Sequence, residues 1–165
     1  MNQLNHSEIT NSQHDKEIVI IGDQIEDKKN IGMMFRLADA FGALAILSNK
    51  NFQVKTDGKI NRISRSTSSR IPFHYSENLK TALEEMKSKG YRIVCLEKCD
   101  KSRSIVDHDS KKTSKVALVV GNENFGISPG LLEIADDVLH IPMFGINTSM
   151  NVIHALAIGL YEMTK

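Results

Sequence analysis

An α/β fold on a mostly parallel six-stranded sheet, with helices on both faces, is what this sequence predicts. Two observations carry the prediction. Runs such as EIVIIG (Glu17 to Gly22) and VALVV (Val116 to Val120) are apolar at nearly every position, the pattern of strands buried on both sides rather than of strands with one wet face. Between such runs lie stretches with helical spacing, so strand and helix alternate along the chain. At 165 residues the length suits one domain with a full core.

Residues 1–16 are polar, with Leu4 and Ile9 the only large apolar groups, and read as a flexible arm ahead of a single domain over 17–165. Glu17 to Gly22 is the first strand. After a charged connection, Asn30 opens a helix with Met33, Leu37, Ala40 and Phe41 on one side, and Gly42 stands where a C′ glycine would end it. Ala43 to Ser48 is the second strand. Residues 55–70 follow as a loop that is the most one-signed part of the chain, with Lys55, Lys59, Arg62, Arg65 and Arg70 against Asp57 alone. Ile71 to Tyr75 is the third strand. The next helix turns Leu79, Leu83 and Met86 inward and closes at Gly90. YRIVCLE supplies the fourth strand, with Cys95 in the core, and 98–115 is irregular apart from a short element near Ser104 to Val106. SKVALVVGNE is the fifth strand, and Ser128-Pro129 is an N-cap and N1 pair for a short helix. Val138 to Met143 is the sixth. In the final helix Val152, Ala155, Leu156, Leu160 and Met163 form one stripe, while Ile153, Ala157 and Ile158 fill a flank that an ordinary surface helix would leave polar. That flank needs a cover, and Ser149 or Asn151 can cap the first turn.

Composition narrows the function classes. With 21 Lys and Arg against 20 Asp and Glu, the net charge of +1 selects no partner, so only a local cluster could. Cys95 and Cys99 have no second pair, which excludes a disulfide framework and argues against structural zinc. The six histidines lack ligand spacing, so no metal is expected. His154, one turn into the last helix, reads as a core or interface histidine. No basic leader precedes an apolar run, and no apolar stretch reaches the roughly 20 residues of a membrane span. No membrane partner is expected, and the expected location is cytoplasmic.

In open parallel sheets ligands collect beyond the carboxyl ends of strands, and three loops have that address: Asn30 to Arg36, Gly121 to Ser128, and Phe144 to Asn151. Phosphate-loop, dinucleotide and nucleophile-elbow signatures are missing. The order of the three loops carries more weight than any one of them. Asn30-Ile31-Gly32 with Arg36, then LVVGNENFGIS from Leu118 to Ser128, then IPMFGINTSMN from Ile141 to Asn151, resemble the three sequential motifs of the TrmH-type branch of the SPOUT RNA methyltransferases. The resemblance covers about residues 17 to 163, and departs from the usual Ser-Leu-Asn of the third motif only by Met150, a volume-conserving exchange.

That resemblance implies a six-stranded sheet with a C-terminal deep trefoil knot, S-adenosylmethionine as cofactor, and a homodimer through the knot helix. It implies Gly121, Ile141, Met143 and Met150 around the cofactor, with Glu123 fixing the second loop there or contacting RNA. Ser149 and Asn151 would hold the site loop, and Asn30 would orient Arg36. Arg36 is the residue such families assign to activating the ribose 2′-OH. Because a guanidinium stays protonated, holding the adjacent phosphate and stabilising the developing alkoxide describes its role better. Lys59, Arg62, Arg65 and Arg70 then become a phosphate track. The expected function is 2′-O-methylation of RNA, of tRNA before rRNA. A non-catalytic RNA-binding or assembly protein on the same fold is the first rival, and an α/β enzyme using another nucleotide is the second.

Overall fold

The computed structural model describes residues 13–165, so most of the expected arm, residues 1–12, lies outside the described residues. Where the chain becomes described it is already tied down. His14 Nε2 lies 2.8 Å from the Phe41 carbonyl oxygen, and Lys16 Nζ donates to the Ser110 and Thr113 carbonyls at 2.7 and 2.8 Å.

Seven parallel strands form one sheet: β1 (Glu17–Gly22), β2 (Ala45–Ser48), β3 (Phe73–Tyr75), β4 (Arg92–Leu96), β5 (Arg103–Ser104), β6 (Lys115–Val120) and β7 (Asp137–His140). Their order is β3-β2-β1-β6-β4-β7-β5, so β6 enters between β1 and β4, and β7 between β4 and β5. The count exceeds the expected six by β5, two polar residues that pair with Leu139 and His140 and carry no apolar run to announce themselves. The last strand is also shorter than expected. Pro142 has no N–H to give a ladder, and Ile141-Pro142-Met143 leave the sheet.

The helices are α1 (Lys28–Ala40), α2 (Gly58–Ser64), α3 (Leu79–Ser88), α4 (Pro129–Ile134) and α5 (Val152–Met163). Side chains alternate across a strand, and β6 shows the result: Val116, Leu118 and Val120 join the core with α1 and α5, while Ala117 and Val119 join the core with α3 and α4. Cys95 is fully buried, and burial pushes its thiol pKa up to about 12. Gly42 and Gly90 follow the ends of α1 and α3 at φ of +61° and +86°.

Three sequence expectations need correction. The buried face of α1 is Ile31, Met34, Phe35 and Ala38, whereas Met33, Leu37 and Phe41 are half-buried and Ala40 is exposed. A single-stripe reading fails because α1 is covered on more than one side, by α5 among others. The sheet lies on one side, and α2 comes so close on another that a Cβ on Gly32 would press on the Ile63 side chain. The basic stretch is likewise no loop over its whole length. Asp57 accepts from the Lys59 and Ile60 amides and starts α2, whose Ile60 is fully buried. In α5, Ile153 belongs to the core with Leu156, Leu160 and Met163 rather than to the flank. Gly159 lets α5 lie tight on the sheet, since a Cβ there would run into Leu96.

Candidate functional site

The carboxyl ends of β6, β4 and β7 are neighbours in the sheet, and the chain leaving each of them borders one cleft of about 470 Å³. Leu96, Val120 and Leu139 from the strands and Val152 and Ala155 from α5 give it apolar walls. Glu97, Asn122, Glu123, Thr148, Ser149 and Asn151 add polar groups. All five residues expected at the cofactor, Gly121, Glu123, Ile141, Met143 and Met150, line this cleft, as do Ser149 and Asn151.

The turn after β6 is closed by its own hydrogen bonds. Asn122 and Gly126 exchange backbone hydrogen bonds at 3.0 Å, and Asn122 Oδ1 accepts from the Asn124 and Phe125 amides at 2.9 and 3.1 Å. Gly126 sits at φ +69°, in the left-handed region. Gly121 is required by crowding, because a Cβ there would overlap the Gly126 carbonyl and the Ile127 amide. Glu97 at the end of β4 ties this turn to the next strand, its Oε2 accepting from the Ile127 amide at 2.9 Å. Glu97 and Asn122 are absent from the sequence-based site. An Asx-turn pattern before Gly126 marks Asn122. No local pattern marks Glu97, which meets its partner 30 residues away.

The segment after β7 reaches α5 through Asn151. The two capping candidates resolve in favour of Asn151, whose Oδ1 accepts from the Ile153 amide at 2.8 Å, while Ser149 lines the cleft without capping. His140 also borders the cleft, its Nδ1 3.0 Å from Ser102 Oγ. Below it, Asp137 starts β7 between the guanidinium groups of Arg92 and Arg103. Burial would raise the Asp137 carboxyl, but these two arginines outweigh it and hold the group below the usual carboxylate range.

Asn30 and Arg36 do not line the cleft. Buried Asn30 donates from Nδ2 to Glu123 Oε1 at 2.6 Å, locking the start of α1 to the turn after β6. Among the described residues no hydrogen bond joins it to Arg36, which it was expected to orient. Six residues along one helix separate the two by about 9 Å of rise and place them on different faces. Arg36 Nη1 lies 3.9 Å from Met33 Sδ. Of the four basic residues expected at RNA, Lys59 faces Asp27 at 3.7 Å and Arg70 faces Asp39 at 3.1 Å, whereas Arg62 and Arg65 have no acidic partner among the described residues. Arg65 and Ser66 both adopt left-handed backbone, at φ 50° and 69°, and turn the chain sharply out of α2. The turn beyond them is ordered by side chains, with Ser68 Oγ donating to Asn61 Oδ1 at 2.9 Å and Thr67 Oγ1 to the Ser64 carbonyl at 2.7 Å.

No helix among the described residues is long and apolar enough to cross a membrane. Comparison with known proteins agrees with the site's composition. The chain is 27% identical over 168 residues to the 23S rRNA (guanosine-2'-O-)-methyltransferase RlmB of Vibrio cholerae, covering 99% of this chain and 66% of that protein. It is 31% identical over 154 residues to the tRNA (guanosine(18)-2'-O)-methyltransferase of Aquifex aeolicus, covering 91% of this chain and 70% of that one. The structure of an AdoMet-bound rRNA methyltransferase from Sinorhizobium meliloti matches with a TM-score of 0.79 at 25% identity, over 93% of this chain and 57% of that one. The chain thus spans between just over half and seven tenths of the length of these relatives. The SpoU rRNA Methylase family matches residues 17–161, the entire sheet and all three cleft-bordering segments, and this chain belongs to that family.

Proposed function

We propose that this protein is an S-adenosylmethionine-dependent RNA methyltransferase acting on a ribose 2′-OH. The observation that carries the reading is the cleft itself, where all five residues expected at the cofactor meet Ser149 and Asn151. The donor set fits the cofactor. Leu96, Val120, Leu139 and Ile141 offer apolar surface to an adenine ring, and Glu97 and Glu123 offer carboxylates to a ligand that carries an ammonium and a sulfonium. When bound, the cofactor supplies an electrophilic methyl group. The apolar walls exclude water, which favours a transfer in which charge on sulfur is lost. The Asn30–Glu123 bond keeps the turn in place, and Arg36 stabilises the developing alkoxide while holding a neighbouring phosphate.

Arg36 lies outside its own protomer's cleft, and α1 packs on α5. A homodimer through α5 brings Arg36 of one protomer towards the cleft of the other. Support for that dimer comes from apolar surface left open along one side: Ile158 and Tyr161 on α5 are 38% and 61% exposed, and Phe144 and Ile146 just before it are 98% and 100% exposed. The insertion of β6 and β7 between earlier strands suits a chain whose C-terminal segment passes through a loop as a trefoil knot. Lys59, Arg62, Arg65 and Arg70 serve as phosphate contacts, and tRNA is preferred over rRNA as substrate. The protein works in the cytoplasm as a single domain over 17–165.

The test is calorimetric titration of the purified protein with S-adenosylmethionine, followed by transfer of labelled methyl groups to tRNA and rRNA fractions. Saturable binding with transfer to RNA is expected. Binding without transfer to either fraction would favour a non-catalytic RNA-binding protein on this fold, and no binding would refute the cofactor assignment.

A further inference from the structure

Phe125 is 86% exposed at the tip of the turn that borders the cleft, and none of the hydrogen bonds or core contacts described above uses its ring. An aromatic side chain in water gains nothing for the fold. Its backbone, in contrast, is fixed: its amide donates to Asn122 Oδ1, the turn closes through Asn122 and Gly126, and Asn122 Nδ2 donates to the Gln24 carbonyl at 2.8 Å. A ring held this way loses little conformational freedom when something covers it.

We propose that Phe125 is a stacking platform for an unpaired base of the RNA substrate, set beside the cleft by the locked Asn122–Gly126 turn. The proposal rests on the reading of this protein as an RNA methyltransferase and adds a contact that selects single-stranded RNA. Two features favour a base over a second protein copy as the occupant. Phe125 stands alone among the exposed polar residues Glu123 and Asn124, unlike Ile158 and Tyr161, which continue an apolar helix face. An isolated ring on a polar surface is poor material for a protein interface, yet it is sufficient for a base, which has a π-face and a polar edge. The same turn is joined through Glu123 and Asn30 to α1, on which the basic α2 is packed, so ring and cations share one scaffold. Stacking needs no particular base, which leaves sequence choice to other contacts.

The chain has no tryptophan, so Phe125→Trp places a single tryptophan, excited selectively over the three tyrosines, at the tip. Binding of tRNA and rRNA fractions from cells lacking the gene is measured for wild type, Phe125→Trp, Phe125→Leu and Phe125→Ala, with S-adenosylmethionine affinity and oligomeric state as parallel readouts. Wild type and Phe125→Trp are expected to bind RNA alike, with the tryptophan emission quenched by RNA and unchanged by cofactor alone. Phe125→Leu and Phe125→Ala are both expected to weaken RNA binding about tenfold while keeping cofactor affinity and oligomeric state. Wild-type affinity in Phe125→Leu, unquenched emission at saturating RNA, or a change of oligomeric state in Phe125→Ala overturns the stacking role. Failure of the wild type itself to bind or methylate RNA overturns instead the reading beneath it, so the two failures are distinguishable.

Discussion

Two segments that border the cleft are held in different ways. The turn from Gly121 to Ile127 is secured by its own Asn122 side chain and Asn122–Gly126 pair and, from the end of β4, by the Glu97 carboxylate. In the segment leading to α5, residues 142–150 form no hydrogen bond among the described residues, and order returns only where Asn151 caps the helix. The exposed Phe144 and Ile146 lie in that second segment. The contrast assigns different tasks to the two: the turn is a rigid template that folding completes, and the segment is shaped by whatever packs upon it. In the proposed dimer that support is the partner subunit together with the cofactor.

The largest effect is expected from attacking the template. Gly121→Val puts a branched Cβ onto the Gly126 carbonyl and Ile127 amide, so cofactor binding should vanish in calorimetry and stability should fall by about 2–4 kcal/mol. A variant that still binds would show that the turn yields as readily as its counterpart. Next is Arg36→Ala, expected to slow methyl transfer at least about 100-fold with cofactor affinity unchanged. If the cleft is completed across subunits, mixed dimers of Arg36→Ala and Gly121→Val recover one working cleft, and no recovery would return Arg36 to its own protomer. Third, Ile158→Asp places a charge in the face that supports the second segment and should weaken the dimer about 100-fold in sedimentation, whereas an intact dimer would move the interface elsewhere. The smallest change is in substrate capture: Arg62→Glu with Arg65→Glu should weaken RNA binding about tenfold at low salt and flatten its salt dependence, leaving cofactor affinity untouched. Equal RNA affinity would confine capture to the cleft rim.

How much of this was legible in the sequence follows the same division between local and distant causes. Strands buried on both faces announce themselves through unbroken apolar runs, so β1, β4 and β6 stand where the sequence puts them. The cleft segments were legible too, because loops after parallel strands converge wherever the strands are adjacent. Contacts made across the fold were not. The inward face of α1 depends on α2 settling against Gly32, and α2 itself sits in a stretch whose charge masks the buried Ile60. Strand β5 has no pattern of its own, and Glu97 finds Ile127 only once β4 and β6 are paired. Asn30 was expected to orient Arg36 on its own helix, but its side chain bonds Glu123, 93 residues away.

Methylation of a ribose 2′-OH is tested most directly by mass mapping of RNA from cells with and without the gene. One 2′-O-methylated nucleoside should disappear on deletion, return with the wild-type gene and fail to return with Arg36→Ala. Identical modification maps with and without the gene, in both the tRNA and the rRNA fractions, would contradict it.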